Sequence, residues 1–139
     1  MKDKVVIITG GSSGIGKALA AEFGAHGSKI LVTGRNQHDL DQTVNALSAK
    51  GISIIGLRAD VSVEADNKKM AEEAIKQFGT IDVLINNAGI SMRALFEEAD
   101  VEVIKKVMDI NFFGMVYATK YCLPEIIRKR GSVIGISSI

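Results

Sequence analysis

The stretch that decides the fold is Thr9-Gly10-Gly11-Ser12-Ser13-Gly14-Ile15-Gly16, which joins an apolar run to an amphipathic one. The apolar run, Lys4–Thr9, predicts a strand, and the amphipathic run, Gly14–His26, predicts a helix. A glycine-rich turn placed between a strand and a helix can direct free N–H groups at a phosphate. The sequence therefore predicts a phosphate-binding turn of the kind that holds a dinucleotide.

Each glycine of this turn has its own predicted role. We expect Gly10 to allow the sharp turn, Gly14 to let the backbone approach the ligand, and Gly16 to let the helix pack closely on the strand. The hydroxyls of Ser12 and Ser13 can donate to phosphate or ribose oxygens. The spacing is G-x-x-x-G-x-G rather than the commoner G-x-G-x-x-G, so a tight loop that binds no ligand is an alternative.

A nucleoside triphosphate site is a second alternative for the same turn. Residues 11–17 fit the G-x-x-x-x-G-K pattern that begins a P-loop. A P-loop continues with a serine or threonine that holds Mg²⁺, whereas this sequence has Ala18. This alternative therefore lacks its metal ligand.

The rest of the chain alternates short apolar runs with amphipathic stretches, as βαβ units do. Further strands are predicted at Lys29–Thr33, Ser53–Ala59, Asp82–Ile85 and Ser132–Ile136, and further helices at His38–Lys50, Glu64–Phe78 and about Asp100–Lys129. The strands are near-continuous runs rich in Val and Ile, which is typical of parallel strands covered on both faces. With right-handed crossovers they predict an α/β fold: a doubly wound, parallel Rossmann-type sheet of order 3-2-1-4-5. We expect one domain over residues 1–139 that lacks the last strand of such a sheet.

Several local features are predicted within the helices. Ile15, Leu19 and Phe23 recur every fourth residue and should face the sheet. Pro124 should kink or end the last helix, since it has no N–H to donate. The glycines that follow predicted helices should adopt the left-handed conformation: Gly27, Gly51, Gly79 and Gly131.

Composition excludes several classes of function. The chain has 17 basic and 16 acidic residues, and this balance indicates neither nucleic acid nor an anionic membrane as a partner. The four apolar residues Val5–Ile8 are too few for a signal peptide, and no stretch approaches transmembrane length, so we expect a cytoplasmic protein. The single cysteine, Cys122, excludes an internal disulfide and a cysteine-rich zinc site, and its apolar neighbours predict a buried thiol. We expect no metal site.

The end of the second strand bears on which cofactor the chain prefers. An acid at this place binds the free 2′-hydroxyl of the adenosine ribose, whereas an arginine accepts a 2′-phosphate. Here the strand ends Thr33-Gly34-Arg35-Asn36, with glycine in the acid's place and arginine next. We therefore expect NADP(H) to be preferred, with NAD(H) also accepted; a solvated arginine that heads a helix is the alternative. The missing acid also argues against a methyltransferase.

Three more segments carry a resemblance to a known family. Asn86-Asn87-Ala88-Gly89 follows the fourth strand, Asp60-Val61 follows the third, and Asn111 lies in an apolar helix. Together with the T-G-x-x-x-G-I-G turn, they resemble the short-chain dehydrogenase/reductase family, in its N-terminal part. The segment Ile90-Ser91-Met92-Arg93 is similar to the hydroxysteroid-dehydrogenase-like members.

The resemblance implies a role for several residues. Asp60 would bind the adenine amino group, Val61 would pack on the ring, and Asn87 to Gly89 would line the adenosine side. Asn111 would organise a water in the proton relay, and Ser138 would hydrogen-bond the substrate oxygen. On its own chemistry, a buried asparagine needs a hydrogen-bonding partner, so a structural role for Asn111 is the alternative. The residues expected at the dinucleotide are Gly10, Ser12, Ser13, Gly14, Ile15, Gly16, Arg35, Asn36, Asp60, Val61, Asn87, Ala88 and Gly89.

The family's catalytic Tyr-x-x-x-Lys does not occur in the sequence, because Tyr117 is followed four residues later by Tyr121, and Tyr121 by Glu125. The resemblance implies an NAD(P)(H)-dependent oxidoreductase that acts on a carbonyl or alcohol. We expect this chain to be its cofactor-binding portion and to be inactive alone. A non-catalytic dinucleotide-binding module or a structural fragment is the alternative. An apolar strand at Val133–Ile136 would lie at a sheet edge and favours a homo-oligomer.

Overall fold

A computed structural model describes residues 1–137. Its centre is a parallel, five-stranded sheet of order β3-β2-β1-β4-β5, as predicted. The strands are β1 (Val5–Ile8), β2 (Lys29–Gly34), β3 (Ile54–Arg58), β4 (Val83–Asn86) and β5 (Ser132–Gly135). The fold is therefore the predicted α/β, Rossmann-type arrangement.

The helices connect successive strands. They are α1 (Gly14–Ala25), α2 (Gln37–Ser48), α3 (Glu64–Phe78), α4 (Val101–Met108) and α5 (Gly114–Arg128), with a short 3₁₀ turn at Phe96–Glu98. The prediction of one long helix over about residues 100–129 is wrong in one respect: a π-helical segment, Asp109–Phe113, separates α4 from α5. Asn111 lies inside this segment and bonds to the backbone of a distant loop, a tertiary contact that helical periodicity does not reveal.

Two apolar layers cover the sheet, and alternate residues of each strand point into one or the other. Ile8 packs in the layer that α1 and α2 form, with Ala20 and Leu40. Its neighbour Ile7 packs in the opposite layer, with Met70 of α3. Cys122 of α5 belongs to this second layer, where burial raises the pKa of its thiol to about 12. The prediction of a buried structural thiol is confirmed.

Glycines end the helices in two different ways. Gly27, Gly51 and Gly79 have φ of +82°, +80° and +83°, as predicted for left-handed caps. Gly131 does not, and the preceding Arg130 adopts the positive φ (+52°) instead. Gly131 is needed for another reason, since a β-carbon there would overlap the carbonyl oxygen of Asp82.

Pro124 does not end α5, which continues to Arg128. α3 begins at Glu64 without a side-chain cap, and Asp60 accepts hydrogen bonds from the N–H and the hydroxyl of Ser62. Within residues 1–137 there is no helix with both the length and the apolar character needed to cross a membrane.

Asp82 joins the starts of three strands. Its carboxylate accepts from the Val5 N–H at 3.0 Å and from the Lys4 ammonium at 2.9 Å, at the start of β1. Its backbone carbonyl accepts from the Ser132 N–H at the start of β5, and Asp82 itself directly precedes β4. The Asp82 side chain is 4% exposed, whereas Lys4 is half exposed. Burial acts to raise the pKa of Asp82, but these donors outweigh burial and hold the pKa below its ordinary value.

Candidate functional site

A cleft of about 340 Å³ lies beyond the carboxyl ends of the strands. It lies where the chain order reverses, because β2 flanks β1 on one side and β4 flanks it on the other. Ligands of open α/β sheets bind at such a switch point. The cleft is lined by Gly10, Ser12, Ser13, Gly14, Ile15, Thr33, Gly34, Arg35, Ala59, Asp60, Val61, Asn87, Ala88, Gly89, Ile90 and Ile110.

The glycine-rich turn forms one wall of the cleft, and two of its glycines have left-handed backbones. Gly10 has a φ of +66°, and a β-carbon there would lie 2.9 Å from the Cα of Ala88. Gly14 has a φ of +50° and open space where a β-carbon would lie. The structure therefore leaves room in front of Gly14, and it presses Gly10 against the loop that follows β4.

Gly16 has a packing role and does not line the cleft. A β-carbon on it would overlap the carbonyl oxygen of Gly10, so the close approach of α1 to the turn requires glycine here. Gly11 is under a similar constraint, because a β-carbon on it would lie 2.5 Å from the side chain of Val32 in β2.

The first turn of α1 faces the cleft without a side-chain cap. Ser13 precedes the helix in an extended conformation, and its hydroxyl caps none of the amides that the structure describes. The free N–H groups at a helix start carry partial positive charge and attract anions. Ile15, predicted to face the sheet with Leu19 and Phe23, is 61% exposed at the cleft instead, and only the other two pack against the core. The reason is that Ile15 lies in the first turn of α1, which lines the cleft beyond the carboxyl end of β1 instead of the core.

A hydrogen-bond network ties the loop after β4 to the turn. The Thr9 hydroxyl accepts from the backbone N–H groups of Asn87 and Ala88, each at 3.1 Å. The amide of Asn87 donates to the carbonyl oxygens of Thr9 and Gly10, each at 3.0 Å. These bonds fix the two walls of the cleft against each other.

A second contact fixes the turn from the side of α2. The Thr43 hydroxyl is buried in α2 and donates to the carbonyl oxygen of Ser12 at 3.0 Å. Ser12 also lies against the end of β2, since a β-carbon on Gly34 would be 2.8 Å from its hydroxyl oxygen. A larger residue at position 34 would therefore require the Ser12 side chain to rotate away.

Charged groups lie at the end of the cleft beyond β2 and β3. Arg35 directly follows β2, and Asp60 comes shortly after β3. Burial acts to raise the pKa of Asp60. Hydrogen bonds from Ser62 and the positive charges of Arg35 and Lys106 act in the opposite direction and outweigh burial, so the pKa is lowered overall. Asp60 is thus an ionised acceptor at this end of the cleft.

Two predicted site residues are used differently, and a third lies outside the described part of the chain. Asn36 does not line the cleft; its side chain accepts from the Asp39 N–H and caps α2. Asn111 also lies behind the lining residues: its amide oxygen accepts from the Ile90 N–H at 2.9 Å, and its amide nitrogen donates to the Ile90 carbonyl at 2.8 Å. Asn111 is half-buried, and this pair of bonds satisfies its amide through the backbone of Ile90. Ser138 lies outside the described residues.

Sequence reasoning overlooked three residues at or beside the site: Thr9, Thr43 and Arg58, whose Nε donates to the Arg35 carbonyl oxygen at 3.2 Å. A buried threonine at the end of an apolar strand was a readable signal for Thr9, because its hydroxyl needs a partner. Thr43 and Arg58 gave no such signal, since their contacts depend on how α2 and β3 pack. Lys17, which the nucleoside triphosphate alternative would place at the phosphates, is exposed and does not line the cleft.

Comparisons with known proteins agree with this geometry. The sequence model of the family described as short chain dehydrogenase matches residues 4–139. Among similar proteins, an 11-beta-hydroxysteroid dehydrogenase of Pinus massoniana is 41% identical over 100% of this chain and 40% of its own length. An 11-beta-hydroxysteroid dehydrogenase A of Arachis hypogaea is 38% identical over 98% of this chain and 40% of its own length. Dehydrogenase/reductase SDR family member 7B of Rattus norvegicus is 38% identical over 100% of this chain and 45% of its own length. The chain thus spans about two fifths of the length of the first relatives it matches, and it belongs to the short chain dehydrogenase family.

Proposed function

We propose that the cleft binds NADP(H) and that the chain is the cofactor-binding portion of an oxidoreductase that acts on a carbonyl or alcohol. The observation that carries this proposal is the position of the glycine turn and the uncapped start of α1 at the switch point of the sheet. A bound nicotinamide dinucleotide supplies hydride transfer.

The residues of the cleft fit such a ligand. The open space at Gly14 admits a pyrophosphate, and the amides of the first turn of α1, with the hydroxyls of Ser12 and Ser13, supply donors to it. At the other end, Asp60 supplies an ionised acceptor for an adenine amino group, and Val61 supplies an apolar surface for the ring. In this proposal Asn87 to Gly89 line the adenosine side, where bonds to Thr9 hold Asn87 and Ala88 in place.

NADP(H) is proposed over NAD(H) on the basis of Arg35 and Gly34. A guanidinium at the end of β2 can bind a 2′-phosphate with two parallel hydrogen bonds. Gly34 presents no carboxylate that would bind a free 2′-hydroxyl and repel a 2′-phosphate. Both features therefore favour the phosphorylated cofactor.

The substrate side of the proposal rests on the family. The Pinus and Arachis relatives are named for 11-beta-hydroxysteroids, so a hydroxysteroid with its ketone is the first substrate pair to assay. Asn111 and Ser138 are proposed to serve proton transfer and substrate binding. Because the sequence contains no Tyr-x-x-x-Lys, we propose that this polypeptide by itself binds the cofactor but does not catalyse oxidation or reduction of a substrate. We also propose that it self-associates through apolar surface.

The Arg35→Ala variant tests the cofactor assignment. Loss of a charge-assisted hydrogen bond costs about 1.5–3 kcal/mol, so we expect NADPH affinity to fall about 10- to 150-fold. NADH affinity should change little, because NADH has no 2′-phosphate. Both affinities are measured by titrating the fluorescence of the reduced nicotinamide.

Equal losses for the two cofactors would contradict the assignment of Arg35 to the phosphate. The same samples, given a ketosteroid, should show no oxidation of NADPH at 340 nm. If neither dinucleotide binds the folded chain, the result favours the alternative of a structural fragment. If a dinucleotide binds but activity is absent even when a segment with the family's Tyr-x-x-x-Lys is added to the chain, the result favours a non-catalytic binding module.

A further inference from the structure

Arg58 lies next to Arg35 although the two are far apart in the sequence. Arg58 is the last residue of β3 and pairs with Gly34 of β2 in the sheet register. Its Nε donates to the Arg35 carbonyl oxygen at 3.2 Å. A hollow of about 430 Å³ opens between them and shares Arg35, Ala59 and Asp60 with the dinucleotide cleft.

The charges around this hollow are not equally available. Its two carboxylates already accept hydrogen bonds, Asp60 from Ser62 and Asp66 from the Asp60 N–H at 2.8 Å. Neither Arg35 nor Arg58 forms an ion pair with any residue of the described part of the chain. These hydrogen bonds come from neutral groups and leave both carboxylates negatively charged, so the capacity of the hollow to bind an anion rests on the guanidinium N–H donors of Arg35 and Arg58.

We propose that Arg58 is a second arginine of the cofactor's phosphate subsite and that it contacts the ribose 2′-phosphate together with Arg35. This inference rests on the proposed function, since it assumes that NADP(H) occupies the cleft. A phosphomonoester carries nearly two negative charges near neutral pH, which one guanidinium neutralises only in part. The bond from Nε to the Arg35 carbonyl engages one donor of Arg58 and leaves its Nη groups for the phosphate.

A purely structural role for Arg58 makes a different prediction. If Arg58 served only to hold the Arg35 backbone, its removal would act through Arg35 and would have no effect once Arg35 is gone. If Arg58 contacts the phosphate itself, its removal weakens binding in the absence of Arg35 as well. A double-mutant comparison separates these two roles.

The experiment uses adenosine 2′,5′-bisphosphate and AMP as probes, which differ only in the 2′-phosphate, with binding measured by isothermal titration calorimetry. The proteins are the wild-type chain, Arg58→Ala, Arg58→Gln, Arg35→Ala and the Arg35/Arg58 double alanine variant. Lys50→Ala, which removes an exposed positive charge beyond the end of α2, is the control for net charge. Circular dichroism checks that each variant is folded.

We expect Arg58→Ala to weaken the bisphosphate about tenfold or more, the equivalent of about 1.4 kcal/mol, and to change AMP binding less than about twofold. Arg58→Gln should lose as much, because the glutamine amide can still donate to the Arg35 carbonyl but carries no charge. The double variant should bind the bisphosphate more weakly than Arg35→Ala does. Lys50→Ala should match the wild type.

An unchanged bisphosphate affinity in Arg58→Ala, or a double variant equal to Arg35→Ala, would overturn the role of Arg58 and leave the NADP(H) assignment standing. Retention of full affinity by Arg58→Gln would likewise reduce Arg58 to a support for the Arg35 backbone. A wild-type chain that binds AMP and the bisphosphate equally would overturn the proposed cofactor itself. The two failures are therefore distinguishable.

Discussion

Gly14 and Gly51 have the same kind of backbone and differ in their surroundings. Both have a positive φ, +50° and +80°, and neither has a heavy atom within 4 Å of the place of a β-carbon. Gly14 faces the cleft at the start of α1, whereas Gly51 lies in the exposed turn after α2. A side chain at either position strains the backbone by about 1–2 kcal/mol, but only at Gly14 would it occupy the proposed pyrophosphate site.

The pair Gly14→Val and Gly51→Val isolates this difference. We expect the two variants to lose similar free energy of unfolding, because they share the same backbone strain. Gly14→Val should bind NADPH at least about tenfold more weakly, a loss of about 1.4 kcal/mol or more, and Gly51→Val should bind it as the wild type does. Urea unfolding and nucleotide fluorescence give the two quantities.

If Gly14→Val remains folded and binds NADPH as the wild type does, the glycine-rich turn is the tight loop without a ligand, which is the alternative that its G-x-x-x-G-x-G spacing allows. Nucleotide binding that depends on Mg²⁺ and prefers ATP would instead restore the P-loop alternative.

Sequence reasoning at the residue scale works where one residue's chemistry determines its position. The sharp turn at Gly10 and the open space in front of Gly14 agree with their place in a strand–turn–helix segment. Asn36 could not be assigned in the same way, because an asparagine after a strand can contact a ligand or cap the next helix, and here it caps α2. Arg58 became a candidate only once the register of β3 against β2 was known.

At the scale of elements, the periodicity of apolar residues located the strands and helices but not the π-helical segment between α4 and α5. A π-helical segment adds a residue to one turn without changing composition, so nothing in the local sequence marks it. What marks it in the structure is the pair of bonds between Asn111 and the Ile90 backbone. Local sequence also does not reveal why position 131 must be glycine. The reason is that the chain at the start of β5 approaches Asp82 too closely for a β-carbon, and not that Gly131 caps a helix.

Asp82 connects the starts of β1, β4 and β5. Its carboxylate should make the free energy of unfolding depend on pH. The pKa of its carboxyl is lowered in the folded state, so its contribution to stability is fully present above the unfolded pKa of about 3.9. The contribution is lost as pH falls through the lower folded pKa. Asp82→Asn removes the charge that holds Lys4, and we expect a loss of about 1.5–3 kcal/mol at pH 7.

The measurement is urea unfolding of the wild type and Asp82→Asn from pH 7 down to pH 3. The difference between them should be largest at neutral pH and should shrink below about pH 4. Asp41→Asn, which removes an exposed carboxylate that accepts a hydrogen bond from Gln37 within α2, should show no such difference at any pH. A gap between wild type and Asp82→Asn that stays constant down to pH 3 would show that the Asp82 charge does not stabilise the strands.

At the scale of the whole molecule, the sheet is covered unevenly. The two faces of β1, β2 and β4 are buried, whereas every residue of β5 is exposed. α5 adds an apolar stripe on the side away from its buried face, formed by Val116, Leu123 and Ile127. An exposed strand edge and a contiguous apolar surface favour association between proteins.

We therefore expect the 139-residue chain to self-associate at micromolar concentration, and we expect the α5 stripe to carry much of the contact. Replacing Leu123 and Ile127 together with glutamate should shift the sedimentation distribution toward monomer, because charged groups in an apolar interface lose their hydration without gaining a partner. Ile75→Glu, at an exposed apolar position on α3, is the matched control and should leave the distribution unchanged. Sedimentation velocity over a range of concentrations checks both. A wild-type chain that is monomeric throughout would refute self-association, and an unchanged distribution in the double glutamate variant would move the contact from the α5 stripe to the edge of β5.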